Sequence, residues 1–200
     1  MTNLSIKSEL IADTIAEEII RGEQSPGARL AQDAIASRFQ CSHVPVREAL
    51  QRLVQMELAT SEPRKGVRVV ALASSDHVEI QEMRLALEPL ALRLAVTNFQ
   101  DKNLKEIEGH RLSCDDATDA ISWESANRAF HMAILKPCGR PRLLRQIEEL
   151  QRLSAHRFHT KWHQNWVQSS DRDHASIVRA MQSGDAAAAC AVLVRHLKRA

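Results

Sequence analysis

Apolar residues in this chain recur first at helical spacing, then in two short alternating runs, then at helical spacing to the end. Leu4, Ile6, Leu10, Ile11, Ile15, Ile19 and Ile20 predict a helix over 5–21, with Gly22 as its terminator and Glu17 and Glu18 on its solvated face. Ser25-Pro26-Gly27 is a turn, and Arg29-Leu30 predicts a short strand. A second, short helix is expected over 31–39 around Ile35 and Phe39, and only Gln40 and Cys41 separate it from Ser42. Ser42 is a good helix cap, and Pro45 falls in the first turn, where its missing N–H had no partner to lose. The third helix carries Val46, Ala49, Leu50 and Leu53 on one face and His43, Arg47 and Gln51 near the other. Strand-like runs over 59–62 and 67–70 flank Pro63-Arg64-Lys65-Gly66, a turn with two cations at its tip.

After a short linker over 71–75, tight enough for two domains to report on each other's position, the pattern is helical throughout. Val78, Met83, Leu85, Leu87, Leu90, Leu92, Leu94 and Val96 predict a helix over 76–96, ended by Thr97-Asn98. Further helices are expected over 104–114 and 121–136, the latter ended by Pro137-Cys138-Gly139-Arg140-Pro141. A fourth runs over 143–158 and on to His163, a fifth from a Ser169 or Ser170 cap to Met181, and a sixth from an Asp185 cap to Leu197. The fold class is therefore mainly α: residues 1–72 form a winged helix-turn-helix domain and residues 76–200 an all-helical bundle.

Composition narrows the function classes. The 44% hydrophobic and 26% charged content is that of a soluble globular protein. No apolar run approaches the ~18–20 residues that span a bilayer. Lys7, Glu9 and Asp13 do not begin a secretion signal, so a cytoplasmic location is expected. Cys41, Cys114, Cys138 and Cys190 are widely spaced, which indicates reduced thiols, not a disulfide framework or thiolate zinc site. Net charge is only +2, but from Arg38 to Val70 six Lys/Arg stand against three Asp/Glu. The cations gather around the third helix and the hairpin tip, as a nucleic-acid footprint requires.

Pro26-Gly27-x-x-Leu30, Ile35-Ala36-x-x-Phe39, Ser42-x-x-Pro45-Val46-Arg47-Glu48-Ala49-Leu50-x-x-Leu53 and Gly66-x-x-Val69 occur in that order. Over roughly residues 8–70 the chain resembles the winged-helix domain of GntR-type bacterial transcription regulators. The expected DNA-binding residues are Ser42, His43, Arg47, Arg52, Arg64, Lys65, Gly66 and Arg68. The family more often has arginine where this chain has His43, so the preferred operator is expected to differ from that of close relatives.

In the helical region, Asn127 and His131 share a helix face at i, i+4, and a tight hairpin would bring His174 beside His196. Imidazole nitrogens with an oxygen donor suit Zn²⁺, Ni²⁺, Mn²⁺ or Fe²⁺; satisfied core or surface histidines are the alternative. Arg84-x-x-x-Glu88, Asn127-x-x-Phe130-His131, His174 and Gly184-Asp185 followed by His196 resemble the FCD effector-binding domain of the FadR-type branch of these regulators. That resemblance implies a divalent metal, Zn²⁺ first among the four, held by His131, His174 and His196 with Asn127 at the usual carboxylate position. It also implies a small organic acid as effector. Asn127 departs from the family pattern and removes one negative charge from the donor set. Arg84 is the candidate for the effector carboxylate, and a salt bridge to Glu88 is its other reading.

His156, His159 and His163 form a rival cluster, expected on a solvated face or pocket rim, with an accessory metal as the other reading. Trp123, Trp162 and Trp166 read as core or interface fillers, and His77 and His110 carry no readable role. The expectation is a homodimeric regulator that binds an inverted-repeat DNA operator and a small carboxylate. The alternatives are a metal-dependent enzyme using the same histidines and a metal-free ligand-binding regulator. Against the enzyme, no H-E-x-x-H, nucleophile elbow or phosphate-cradling glycine loop is present among only six glycines.

Overall fold

The computed structural model describes residues 3–162, 166–168 and 171–199. The chain forms two compact units, Met1–Ser74 and Ser75–Ala200.

The first unit runs α1 (Asn3–Ile20), α2 (Gln32–Arg38), α3 (His43–Gln55), β1 (Ala59–Glu62) and β2 (Gly66–Val69). α1 stops where expected: Gly22 takes a φ of 74°, Glu23 N–H donates to Glu18 O and Gly22 N–H to Ile19 O. These two bonds cap the last orphan carbonyls. α1 packs against α3, and Ile11, Ile15 and Ile19 of the one and Val46, Leu50 and Leu53 of the other are all at most 2% exposed. Ile6 and Leu10, also part of the α1 pattern, are 54% and 59% exposed. Glu18 is a correction. It is not solvated, because Arg38 of α2 reaches back to both its oxygens, and this pairing holds its carboxyl below the usual range.

β1 and β2 are antiparallel with Ala59 opposite Val69 and Glu62 opposite Gly66. The expected third strand is a single antiparallel bridge, Arg29 to Arg68, supported by Leu30 N–H to Val67 O and Val69 N–H to Ala28 O. The hairpin tip needs left-handed backbone at Arg64, φ 64°, and Gly66, φ 82°. Glycine takes that conformation at little cost, whereas arginine does not.

The second unit runs α4 (Ser74–Thr97), α5 (Asp101–Asp115), α6 (Ala120–Leu135), α7 (Pro141–Arg157), a π-helical turn (Phe158–Trp162), α8 (Arg172–Gln182) and α9 (Ala186–Leu197). Its core gathers Leu92, Ile107, Phe130, Ile134, Leu135, Ile147, Ile177 and Leu193. Of the residues that predict α4, Leu92 and Val96 are buried while Val78, Met83 and Leu90 are 40–55% exposed; His77, Ile80, Glu88, Pro89, Ala91 and Ala95 are buried as well. Ser169 and Ser170 lie outside the described residues. Asp171 caps α8 instead, accepting from Asp173 N–H, while Asp185 caps α9 as expected by accepting from Ala188 N–H. Cys41, Cys114, Cys138 and Cys190 are free, and burial pushes the Cys114 thiol up to about 12. No described helix is long and apolar enough to cross a membrane.

Candidate functional site

The first unit presents one face of α3 and the hairpin tip. Pro45, Val46, Ala49, Leu50 and Leu53 are buried, which leaves Ser42, His43, Arg47 and Gln51 outward. Ser42 is the N-cap by position, but its side chain makes no capping bond. A hydroxyl left free beside a helix N-terminus can donate to a phosphate that the N–H groups also attract. His43 Nε2 lies 3.7 Å from Asp33 Oδ1, and Arg47 is exposed and unpaired.

The remaining cations divide. Arg64 is exposed and unpaired at the tip, and Lys65 pairs with Glu62 at 2.9 Å across the turn. Arg68 donates to Gly27 O at 2.9 Å and so pins the third strand. Arg52 does not face outward with Arg47. It donates to Glu9 Oε1 of α1 at 3.1 Å, on the flank of the helix.

In the second unit, His131 of α6, His174 of α8 and His196 of α9 meet, and their candidate ligand atoms all lie within 4.8 Å of one another. All three are buried. The short connection between α8 and α9 brings His174 beside His196, as the hairpin argument expected. His131 Nε2 and His196 Nε2 stand 3.1 Å apart, while each ring's Nδ1 faces a carboxylate. Glu88 Oε2 is 3.3 Å from His131 Nδ1, and Asp171 Oδ2 is 3.2 Å from His196 Nδ1.

With each Nδ1 proton directed at its carboxylate, the tautomer that these partners favour, both Nε2 atoms present lone pairs to each other. Two such acceptors repel at this distance unless a cation lies between them. Two imidazole nitrogens ~2.0–2.1 Å from a tetrahedral ion stand roughly 3.3 Å apart, close to the spacing seen. His131 and His174 also favour the neutral ring. Burial lowers His131 despite the Glu88 carboxylate, and burial together with the neighbouring His131 and His196 takes His174 down to about 2. Neutral imidazoles are ligands; imidazoliums are not. His174 keeps both ring nitrogens buried without a hydrogen bond, as does Asn127 Oδ1 one helical turn before His131. The donor set fits a divalent metal.

The sequence does not disclose the carboxylates behind the rings: Glu88 reads as a partner for Arg84, and Asp171, three residues before His174, carries no motif of its own. Glu88 is fully buried. Burial works to raise its pKa, but Arg84 and His131 outweigh that and hold it at about 2. Asp171 is likewise held at about 2, burial being outweighed by His196 and His174.

A cavity of about 300 Å³ opens beside the histidines, lined by His131, His196, Asn127, Arg84, Gln151, Ser154 and Trp123 among others. Arg84 donates Nε–H to Glu88 Oε1 at 2.7 Å and Nη1–H to Ser154 Oγ at 2.8 Å. The salt-bridge reading of Arg84 thus holds, yet two of five donors are used and three remain for a ligand. His156 and His159 are 3% exposed, not solvated, because α7 and the π-helical turn face them inward. His163 lies outside the described residues, so the rival cluster reduces to two rings, and His159 Nε2 is 3.7 Å from Glu124. The candidate metal groups among the described residues do not include them. Trp123 lines the cavity and packs on Phe158 at 5.3 Å, and His77 lines the cavity too.

Residues 7–69 match the family model of the bacterial regulatory proteins of the gntR family, and residues 79–199 match that of the FCD domain. The chain is 30% identical over 196 residues to the HTH-type transcriptional repressor GlaR of Escherichia coli, covering 92% of this chain and 89% of that one. It is 29% identical to a probable D-xylose utilization operon transcriptional repressor of Paenarthrobacter nicotinovorans, covering 98% and 88%. Its fold is shared with E. coli McbR/YncC at a TM-score of 0.86 and 23% identity, covering 100% of this chain and 95% of that one. A winged helix with an outward recognition face, joined to a unit that matches the FCD domain, and relatives named as transcriptional repressors make this a DNA-binding transcriptional regulator and not an enzyme. The chain belongs to the GntR family of bacterial regulatory proteins and carries an FCD domain.

Proposed function

We propose that the protein is a cytoplasmic, homodimeric repressor whose grip on an inverted-repeat operator is set by a small carboxylate bound at a divalent metal, Zn²⁺ first among the candidates. The observation that carries the metal half is the pair of facing Nε2 atoms 3.1 Å apart, each backed by a carboxylate on its other nitrogen. His131, His174 and His196 would hold the ion, with Asn127 Oδ1 as the neutral oxygen donor. When bound, the ion supplies a positive centre with open positions that an anionic oxygen can take. Arg84 then offers its three remaining N–H donors to the same acid, positioned by Glu88 and Ser154. The cavity of about 300 Å³ is at the small end of ligand sites, which favours an acid of few carbons.

On the DNA side, Arg47 and Arg64 are the principal contacts, supported by Ser42, His43, Lys65 and the sharp turn at Gly66. Arg52 and Arg68 contribute by holding α3 and the hairpin in place. One recognition helix reads too few base pairs for genomic specificity, and a two-fold protein matches a two-fold site. Met83 and Leu90, seven residues apart and so on one face of α4, are exposed apolar side chains suited to a subunit contact.

Calorimetry with small carboxylates, with and without a chelator, tests the reading on the wild type and on His174→Ala. Binding should vanish in both treatments. Binding that survives chelation and the His174 change undiminished would overturn the metal mechanism. A gel shift on the region upstream of the protein's own gene, repeated with the acid that binds, tests the coupling to DNA.

A further inference from the structure

The cavity wall holds a buried amide that the proposed metal site does not use. Gln151 of α7 is 4% exposed, lines the cavity, and neither its Nε2 nor its Oε1 has a hydrogen-bond partner. Buried amides are almost always paired, because an unpaired buried donor or acceptor forfeits its bonds to water. Whichever way the amide is turned, it presents one donor and one acceptor. Its neighbour one turn on, Ser154, already accepts from Arg84.

The donors around the cavity are plentiful and its unpaired acceptors are specific. A carboxylate brings only acceptors, which suits Arg84, the metal and the Gln151 N–H. It cannot satisfy the Gln151 carbonyl, which needs an N–H or O–H from the ligand. An ammonium would supply one, but it would sit beside a divalent ion in a lining whose guanidiniums, Arg84, Arg128 and Arg157 among them, outnumber its one carboxylate among the described residues, Glu124. A neutral hydroxyl supplies the hydrogen without that repulsion. Resting on the metal–carboxylate reading above, we infer that Gln151 is a specificity-determining residue that reads a hydroxyl on the effector, so that the effector is a hydroxycarboxylate and not a plain or amino acid.

The test uses the full chain loaded with Zn²⁺ and matched acids that differ in one group: propionate, lactate and alanine, and succinate, malate and aspartate. Calorimetry should show the hydroxy acid of at least one set binding about tenfold to a hundredfold more tightly than its unsubstituted and amino counterparts. Gln151→Leu should erase that preference by weakening the hydroxy acid alone, and Gln151→Met serves if the leucine variant does not fold. Equal affinity of lactate and propionate and of malate and succinate would overturn the inference while leaving the carboxylate reading intact. A preference that persists in the variant would overturn it too. If the Zn²⁺-loaded protein binds none of the six acids, the carboxylate reading fails and this inference fails with it.

Discussion

The two units treat polar groups in opposite ways. Of the eleven buried polar or charged residues described, only Ser8 belongs to the first unit; Glu88, Glu124, Gln151, Asp173 and six histidines are interior to the second. The winged helix buries aliphatic side chains and puts its working cations, Arg47 and Arg64, on the surface. Its fold is complete without a ligand, and its partner is a polyanion met from outside. The helical bundle instead carries ionised and lone-pair groups in its interior, and these cost stability until something fills them. A recognition surface on a finished frame contrasts with a binding site that is itself part of the core.

The largest test of that contrast is Glu88→Ala. It leaves the Arg84 guanidinium, 11% exposed, without its carboxylate and frees the His131 ring to turn. Breaking a buried pair from one side should cost about 3–5 kcal/mol. Trp123, Trp162 and Trp166 all lie in the second unit, so denaturation followed by tryptophan fluorescence reads that unit selectively. A loss under 1 kcal/mol would mean that the buried charge is not held as described.

Acid should separate the units next, in metal-free protein. His131 and His174 titrate below the ordinary value of 6.5 when folded and near it when unfolded. Between 6.5 and the folded value, which is about 2 for His174, the unfolded chain binds more protons. Stability is therefore fully present above about pH 6.5 and declines as pH falls, by about 1.4 kcal/mol per pH unit for each such ring. Glu88, at about 2, stays ionised at pH 5.5, so an early loss belongs to the histidines. The urea midpoint by tryptophan fluorescence should fall between pH 7.5 and 5.5. Zn²⁺ should raise the midpoint at pH 7.5 above its metal-free value, and a flat profile in chelator would contradict the neutral-imidazole assignment of His131 and His174.

On the surface side, Arg47→Ala should lower specific DNA affinity by about 1–3 kcal/mol without changing the bundle's fluorescence melt. An unchanged footprint and affinity would remove α3 from the reading role.

These differences also explain what the sequence could and could not disclose. The winged helix is legible because local signals decide it: a cap at Ser42, Pro45 in a first turn, and a Gly66 that tolerates φ 82°. His174 and His196 are legible as a pair from the short α8–α9 connection, and His131 joins them through the family resemblance. Asp171 behind His196 is not legible, because a cap residue and a second-tier carboxylate look alike until the partner ring is placed. The burial of Glu88 and His77 in α4 is hidden for a related reason, since a pattern built on leucines assigns charged and polar positions to solvent. Buried polarity is what a hydrophobic pattern cannot see, and in this chain it coincides with the candidate site.

The smallest expected effect lies at the hairpin tip, where three cations separate by what each already holds. Arg68 bonds Gly27 O and the third strand depends on it, so Arg68→Ala should lower hairpin stability as well as DNA binding. Lys65 shares its charge with Glu62 at 2.9 Å, so part of its field is cancelled before DNA arrives. Arg64 is exposed, unpaired and held at a φ of 64° by the turn, which costs strain that an alanine there would still bear. Arg64→Ala should therefore remove one phosphate contact and little else. Operator and non-specific DNA should weaken by a similar factor, and the slope of log affinity against log salt should fall by about one. If Arg64→Ala instead weakened the operator alone and left the salt slope unchanged, the tip would be reading bases. The recognition surface would then extend beyond α3.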